Sequence, residues 1–228
     1  MTNAFTSRLN KKQAIAVLIW FPIHIIGLPY LFAALWQFGL IDLIAANVLV
    51  YAVGAAYMLL VLHRFFRKEF DTLCDRPLRV LVLVLGAYWL ARFGEALISL
   101  LFQYLSITDS NANNEAVIAM TKESFGPTAA MAVVLGPIVE ESLFRAGIFG
   151  LLRRKSRFWA YALSMLAFGL YHVWQSALYD PRQLLLLVQY LPSAFALAYV
   201  YDRSDSIWSS IFLHALTNGV SMLAVSAL

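Results

Sequence analysis

Apolar residues run along this chain in stretches too long to be the stripe of a surface helix, and polar residues gather in short breaks between them. Seven such stretches can be read, at about residues 14–38, 42–62, 79–105, 128–152, 158–179, 183–201 and 206–226. Each is close to the roughly 20 apolar residues that a helix needs to cross a bilayer at about 1.5 Å per residue. The pattern predicts an all-α fold, a polytopic transmembrane helical bundle of about seven spans. Tryptophan and tyrosine recur near the stretch ends, at Trp20, Trp36, Trp159, Tyr179 and Trp208, where they suit either an interfacial belt or core packing.

The breaks predict sides. Alternate connections collect Arg8, Lys11 and Lys12, then Arg64, Arg67, Lys68, Arg76 and Arg79, then Arg153, Arg154, Lys155 and Arg157, then Arg203. The other connections hold only Lys122 and Arg182, so the balance is thirteen basic residues against two. Positive loops stay inside, which predicts a multi-pass protein of the cell inner (plasma) membrane with a cytoplasmic N-terminus. Residues 1–13 are polar and basic like the start of a signal peptide, but the apolar run that follows exceeds twenty residues, so a retained first span is expected. The long outer connection from Ser106 to Pro127 contains Asp109-Ser-Asn-Ala-Asn-Asn114 and reads as a turn-rich linker or a flap. No internal repeat, low-complexity tract or soluble second domain is visible.

Composition narrows the class. The chain is 61% hydrophobic and 13% charged with a mean hydropathy of +0.72, which excludes an ordinary soluble domain. The net charge of +4 lies in clusters between apolar runs, so the expected partner is the lipid bilayer and not a nucleic acid. Cys74, the single cysteine, excludes an intrachain disulfide and a cysteine-rich metal site.

Within the spans, Pro137-Ile-Val-Glu-Glu-Ser-Leu-Phe-Arg-Ala-Gly-Ile-Phe-Gly150 is the costliest stretch to place. A charge at mid-bilayer costs roughly 3 kcal/mol on insertion scales, so such acids face a protein interior or a wet cavity. Glu141 and Arg145, four apart, share a helix face and can neutralise each other. Glu140 points about 100° away and is left free for chemistry. Gly136-Pro137 should loosen the helix just upstream. Later spans carry His172, and His214 with Asn218 on one face. Measured from the basic ends of their spans, Glu140, His172, His214 and Asn218 fall roughly 12 to 22 Å deep, close enough for one cluster. A carboxylate with an imidazole can activate water, and a second imidazole with an amide can hold an oxyanion. Each residue also has a packing role open to it, as glue between helices or as a structural ion pair. Arg92 and Glu95 share a face of the third stretch and read as a structural pair, a cap or part of the site, while His24 and His63 read as incidental. There is no HExxH and no Gly-x-Ser-x-Gly. A proton relay of a transporter needs the same residue types, but no inverted repeat accompanies them.

Glu140-Glu141 with Arg145, Phe168 with His172, and His214 with Asn218 match, in order, EExxxR, FxxxH and HxxxN. In this the chain resembles the CAAX protease and bacteriocin-processing (CPBP, or Abi) family of intramembrane proteases, over roughly residues 125–225. The Gly-Pro before the diacid, Phe144 before the arginine and Ser206-Ile-Trp-Ser-Ser before the last histidine belong to the same likeness. It divides the chain into residues 1–124, helices of unassigned role, and residues 125–228, a protease core. It implies a glutamate-dependent endopeptidase acting on a membrane-anchored protein or peptide. Glu140 with His172 would activate water, His214 with Asn218 would hold the oxyanion, and Glu141 with Arg145 would fix the geometry. Two histidines with glutamates are also a zinc donor set. The asparagine and arginine suit an oxyanion site better, so no metal and no cofactor is expected. Eukaryotic relatives cut prenylated substrates and carry one span more than the seven read here. The alternative within the same family is a non-catalytic bacteriocin-immunity or scaffold protein.

Overall fold

The computed structural model describes residues 5–107 and 110–227, and every regular element among them is helical. All seven apolar stretches are helices: α1 (Lys11–Gln37), α2 (Leu43–Val61), α4 (Pro77–Tyr104), α6 (residues 125–153), α7 (Arg157–Ala177), α8 (Pro181–Ser204) and α9 (Ile207–Ser226). Between them lie α3 (His63–Cys74) and α5 (Ala112–Glu123). Helices α1, α2, α4, α8 and α9 are long and apolar enough to cross a membrane. Helix α6 is interrupted by two wide π turns, where α1 has one at Ile23–Gly27, and its middle faces protein on all sides. From Gly136 to Gly150 only Ile138 and Ile148 are not fully buried.

The bundle is built around α6. Phe144 packs edge-on against Phe21 of α1 at 5.7 Å and against Phe168 of α7 at 5.4 Å. Helices α2 and α9 flank its first half, and α4 lies along α8 on the far side of α9. The helices α4 and α8 touch at Gly94, where an added Cβ would stand 2.7 Å from Pro192 Cβ.

The basic connections share one end of the bundle. Arg153 Nε and Arg157 Nη2 contact the two oxygens of Asp202 at 2.7 and 2.8 Å. Helix α3 lies across this end with Phe65, Phe66 and Glu69 buried beneath it. Glu69 is 1% exposed, with Ser7 Oγ donating to it at 2.5 Å and the Ile207 N–H at 3.2 Å. Burial pushes its carboxyl up from 4.5 to about 7. The chain before α1 is strapped down beside it, because the Thr6 and Ser7 N–H groups donate to Asp205 Oδ1 at 2.7 and 2.8 Å.

Two sequence readings change here. The connection from Ser106 to Pro127 is not a plain linker, since residues 112–123 form α5, capped by Asn111 Oδ1 and packed on α7 and α9; Asp109 lies outside the described residues. The belt aromatics divide: Trp36, Trp159 and Tyr179 are exposed, whereas Trp20 stacks on Tyr57 at 3.9 Å and Trp208 Nε1 donates to the Phe66 carbonyl.

Candidate active site

The diacid sits in one α-helical segment, Gly136–Glu141, between two π-helical ones, Ala130–Leu135 and Ser142–Phe149. Wide turns of this kind cluster at functional sites, because they re-aim side chains within a continuous helix. Sequence accounts for the first. The Gly136 N–H bonds the Met131 carbonyl, five residues back. In that register residue 137 should serve Ala132, but a proline has no N–H. Asn218 Nδ2 of α9 supplies the missing donor, at 2.8 Å from the Ala132 oxygen. A carbonyl inside the bundle is thereby satisfied from another helix.

Glu141 is the hub of the buried charges. Its Oε2 lies 3.2 Å from Arg145 Nε, its Oε1 lies 2.8 Å from His214 Nδ1, and Ser210 Oγ donates to Oε2. Glu141 and Arg145 are both 0% exposed. The guanidinium also donates to the Ala194 carbonyl at 3.3 Å and lies over the Phe168 ring at 4.4 Å. A buried pair of this kind survives only if other groups complete its hydrogen bonds. Helices α8 and α9 supply part of that complement through Ala194, Ser210 and His214, α7 adds the Phe168 ring, and Arg145 Nε and Nη1 stay buried without a hydrogen-bond partner.

Glu140 is held less completely. Its Oε2 is buried without a hydrogen bond, 3.8 Å from His172 Nε2 and 3.8 Å from His214 Nε2. These gaps are too long for direct bonds and suit a shared water. The two rings are held differently. His172 Nδ1 lies 2.8 Å from the Phe168 carbonyl, and the ring is stacked by Tyr190 at 4.4 Å. His214 Nδ1 faces the Glu141 carboxylate instead. Both acceptors require a proton on Nδ1, so Nε2 of each ring is the nitrogen turned to Glu140.

All four candidate catalytic residues, Glu140, His172, His214 and Asn218, line one cavity of about 640 Å3. Arg92 and Glu95 line it as well, so that pair is part of the cavity wall. The three sequence motifs leave out Ser210, which only the accompanying Ser206-Ile-Trp-Ser-Ser run contains, as well as Tyr190 and a tyrosine pair in which Tyr51 OH and Tyr171 OH lie 2.9 Å apart. Ser210 was within reach, four residues before His214 on the same face. Tyr51 carries no spacing signal, because it comes to the site from α2. His24, read as incidental, is 1% exposed and packs edge-on against Tyr51 at 5.5 Å. Among the described residues, no three His, Cys, Asp or Glu side chains are arranged to hold a metal ion.

Comparison with known proteins agrees with this region. Residues 122–220 match the family model described as type II CAAX prenyl endopeptidase Rce1-like. A Bacillus subtilis (strain 168) protein named as a candidate membrane peptidase, YdiL, is 28% identical over 135 residues, 59% of this chain and 52% of the relative. The protein YaiF of Lactococcus lactis subsp. lactis (strain IL1403) is 39% identical over 88 residues, 37% of this chain and 34% of the relative. The matched stretches thus span about half or less of these relatives' lengths. No solved structure matches the chain.

Proposed function

We infer, from the match of residues 122–220 to the Rce1-like model, that the chain is an intramembrane endopeptidase which hydrolyses a peptide bond of a membrane-anchored protein or peptide. The observation that carries the mechanism is the unpartnered Glu140 Oε2, 3.8 Å from two imidazole Nε2 atoms inside a cavity.

A neutral His172 offers a lone pair at Nε2, because its Nδ1 proton is held by a neutral carbonyl. A water between Glu140 and His172 then donates one hydrogen to each, which aims an oxygen lone pair outward for attack. His214 is placed for the other half of the reaction. A carboxylate at Nδ1 is the counter-ion that an imidazolium needs, so a protonated His214 can point Nε2–H at the oxyanion. Asn218 keeps a second amide hydrogen after bonding Ala132 and joins it. The water oxygen bonds to the carbonyl carbon, and Glu140 takes the water's proton. That proton passes to the departing nitrogen as the C–N bond breaks, leaving a carboxylic acid and an amine. Glu141 and Arg145 are positioning residues. Residues 125–228 supply the reacting groups and residues 1–124 shape the cavity, in a seven-span protein of the inner membrane with its basic end in the cytoplasm.

The test is cleavage of a panel of membrane-anchored peptides by the purified protein with and without EDTA. Wild type should cut in both, and Glu140→Gln and His172→Ala should lose about 10²–10⁴-fold in kcat while remaining folded. Activity abolished by EDTA and restored by zinc would make the same residues metal ligands. Equal binding by all variants without any cutting would make the protein a binder.

A further inference from the structure

The cavity that holds Glu140 also holds a charged pair on a helix outside the family match. Arg92 lies about 22 Å along α4 from Pro77 at 1.5 Å per residue, a depth at which charge needs a reason. Its Nη2 donates to Glu95 Oε1 at 2.6 Å, and Ser193 Oγ of α8 donates to that same oxygen at 2.5 Å. The Gly94–Pro192 contact holds the two helices together between these groups.

The pair is unbalanced in donors. Glu95 Oε1 has two, whereas a guanidinium carries five N–H donors and Glu95 is Arg92's hydrogen-bonded acceptor among the described residues. Arg92 Nε is buried without a partner. The two side chains remain 28% and 27% exposed, on the wall of the cavity. What would complete the group is therefore an acceptor carrying negative charge. A planar guanidinium can hold one carboxylate on Nη2 and a second on the nitrogens left over. A cation would meet the Arg92 charge and gain only Glu95 Oε2, since Oε1 already takes two donors.

We propose that Arg92, braced by Glu95 and Ser193, is a binding subsite for a carboxylate of the peptide substrate. This deepens the protease reading and rests on it. The carboxylate is held and not transformed, so the separation between Arg92 and Glu140 selects which peptide bond meets the water. The carboxylate is either the substrate's own C-terminus or an aspartate or glutamate side chain.

The experiment uses two pairs of fluorescein-labelled apolar peptides. One pair differs only in a free or amidated C-terminus; the other, amidated throughout, carries Asp or Asn near the end. Binding is measured to the full-length Glu140→Gln protein in nanodiscs, and cleavage is measured with wild type. In one pair the acid should bind about ten- to a hundredfold more tightly than its neutral partner, the usual size of a charge-assisted hydrogen bond. Adding Arg92→Gln should erase that ratio and Arg92→Lys should restore part of it; in the otherwise wild-type enzyme, Arg92→Gln should raise KM more than it lowers kcat. The pair that responds identifies the source of the carboxylate. No preference in either pair overturns the subsite, and so does a preference that survives Arg92→Gln. Cleavage without preference refutes the subsite and leaves the protease; preference without cleavage by wild type does the reverse.

Discussion

Asn218 is a scaffold in the structure and, in the mechanism proposed above, a reagent as well. One amide hydrogen fills the bond that Pro137 cannot make to Ala132, and the second is free to face the cavity. The two roles separate experimentally. Asn218→Ala should cost about 1–3 kcal/mol through the orphaned carbonyl and about 10²–10³-fold in kcat through the lost oxyanion donor. Adding Pro137→Ala returns an N–H to Ala132. The thermal midpoint should then recover while kcat stays low, and recovery of both would make Asn218 purely structural. Of these contacts, the pair Glu141–Arg145 was legible from its spacing of four, as was the shared face of His214 and Asn218. The bond from Glu141 to His214 joins residues 73 apart, and no local pattern announces it. The different Nδ1 partners of the two histidines, on which the proposed division of their roles rests, were hidden for the same reason.

At the scale of elements, hydrophobic pattern located every long helix, because burial in lipid or protein demands the same apolar run. It could not locate π turns, which use the same residues in a wider register; Gly136-Pro137 marked only that a turn there would loosen. It also left α3 and α5 as connections, since polar positions look alike in a loop and on the wet face of a short helix. The contact between α4 and α8 has a direct test. Gly94→Ala places a methyl 2.7 Å from the rigid Pro192 ring, and overpacking of this kind costs about 1–3 kcal/mol. The thermal midpoint should fall, and Ser193 should draw away from Glu95, raising KM for carboxylate-bearing peptides. An unchanged midpoint would mean that the helices separate there without strain.

Across the whole molecule, the alternation of basic connections predicted a common end, and Arg153, Arg157, Asp202, α3 and the strap at Thr6 and Ser7 do meet at one. The buried acid at this end makes stability depend on pH. Glu69 in the folded protein holds its proton up to about pH 7, against 4.5 for an ordinary carboxyl. Between those values the folded chain binds more protons than the unfolded one, so this contribution to stability falls as pH rises from about 4.5 to about 7. Lys68 at 3.9 Å and the nearby Asp205 are the charged neighbours that modulate it. Glu69→Gln keeps acceptors for Ser7 and Ile207 and should flatten the melting temperature across that window. A slope that persists in the variant would place the titrating group elsewhere.

The strap ties the molecule's architecture to its birth. Thr6 leaves the ribosome 199 positions ahead of Asp205, its hydrogen-bond acceptor, which at about 5–20 residues per second is a wait of about 10 to 40 s. His214 likewise follows Glu141 by 73 positions. Until α9 is made and docks, the nascent chain has neither its clasp nor its second imidazole. On the hydrolase reading proposed above, the site stays unarmed until His214 has been made, and the closing of the basic end coincides with its completion.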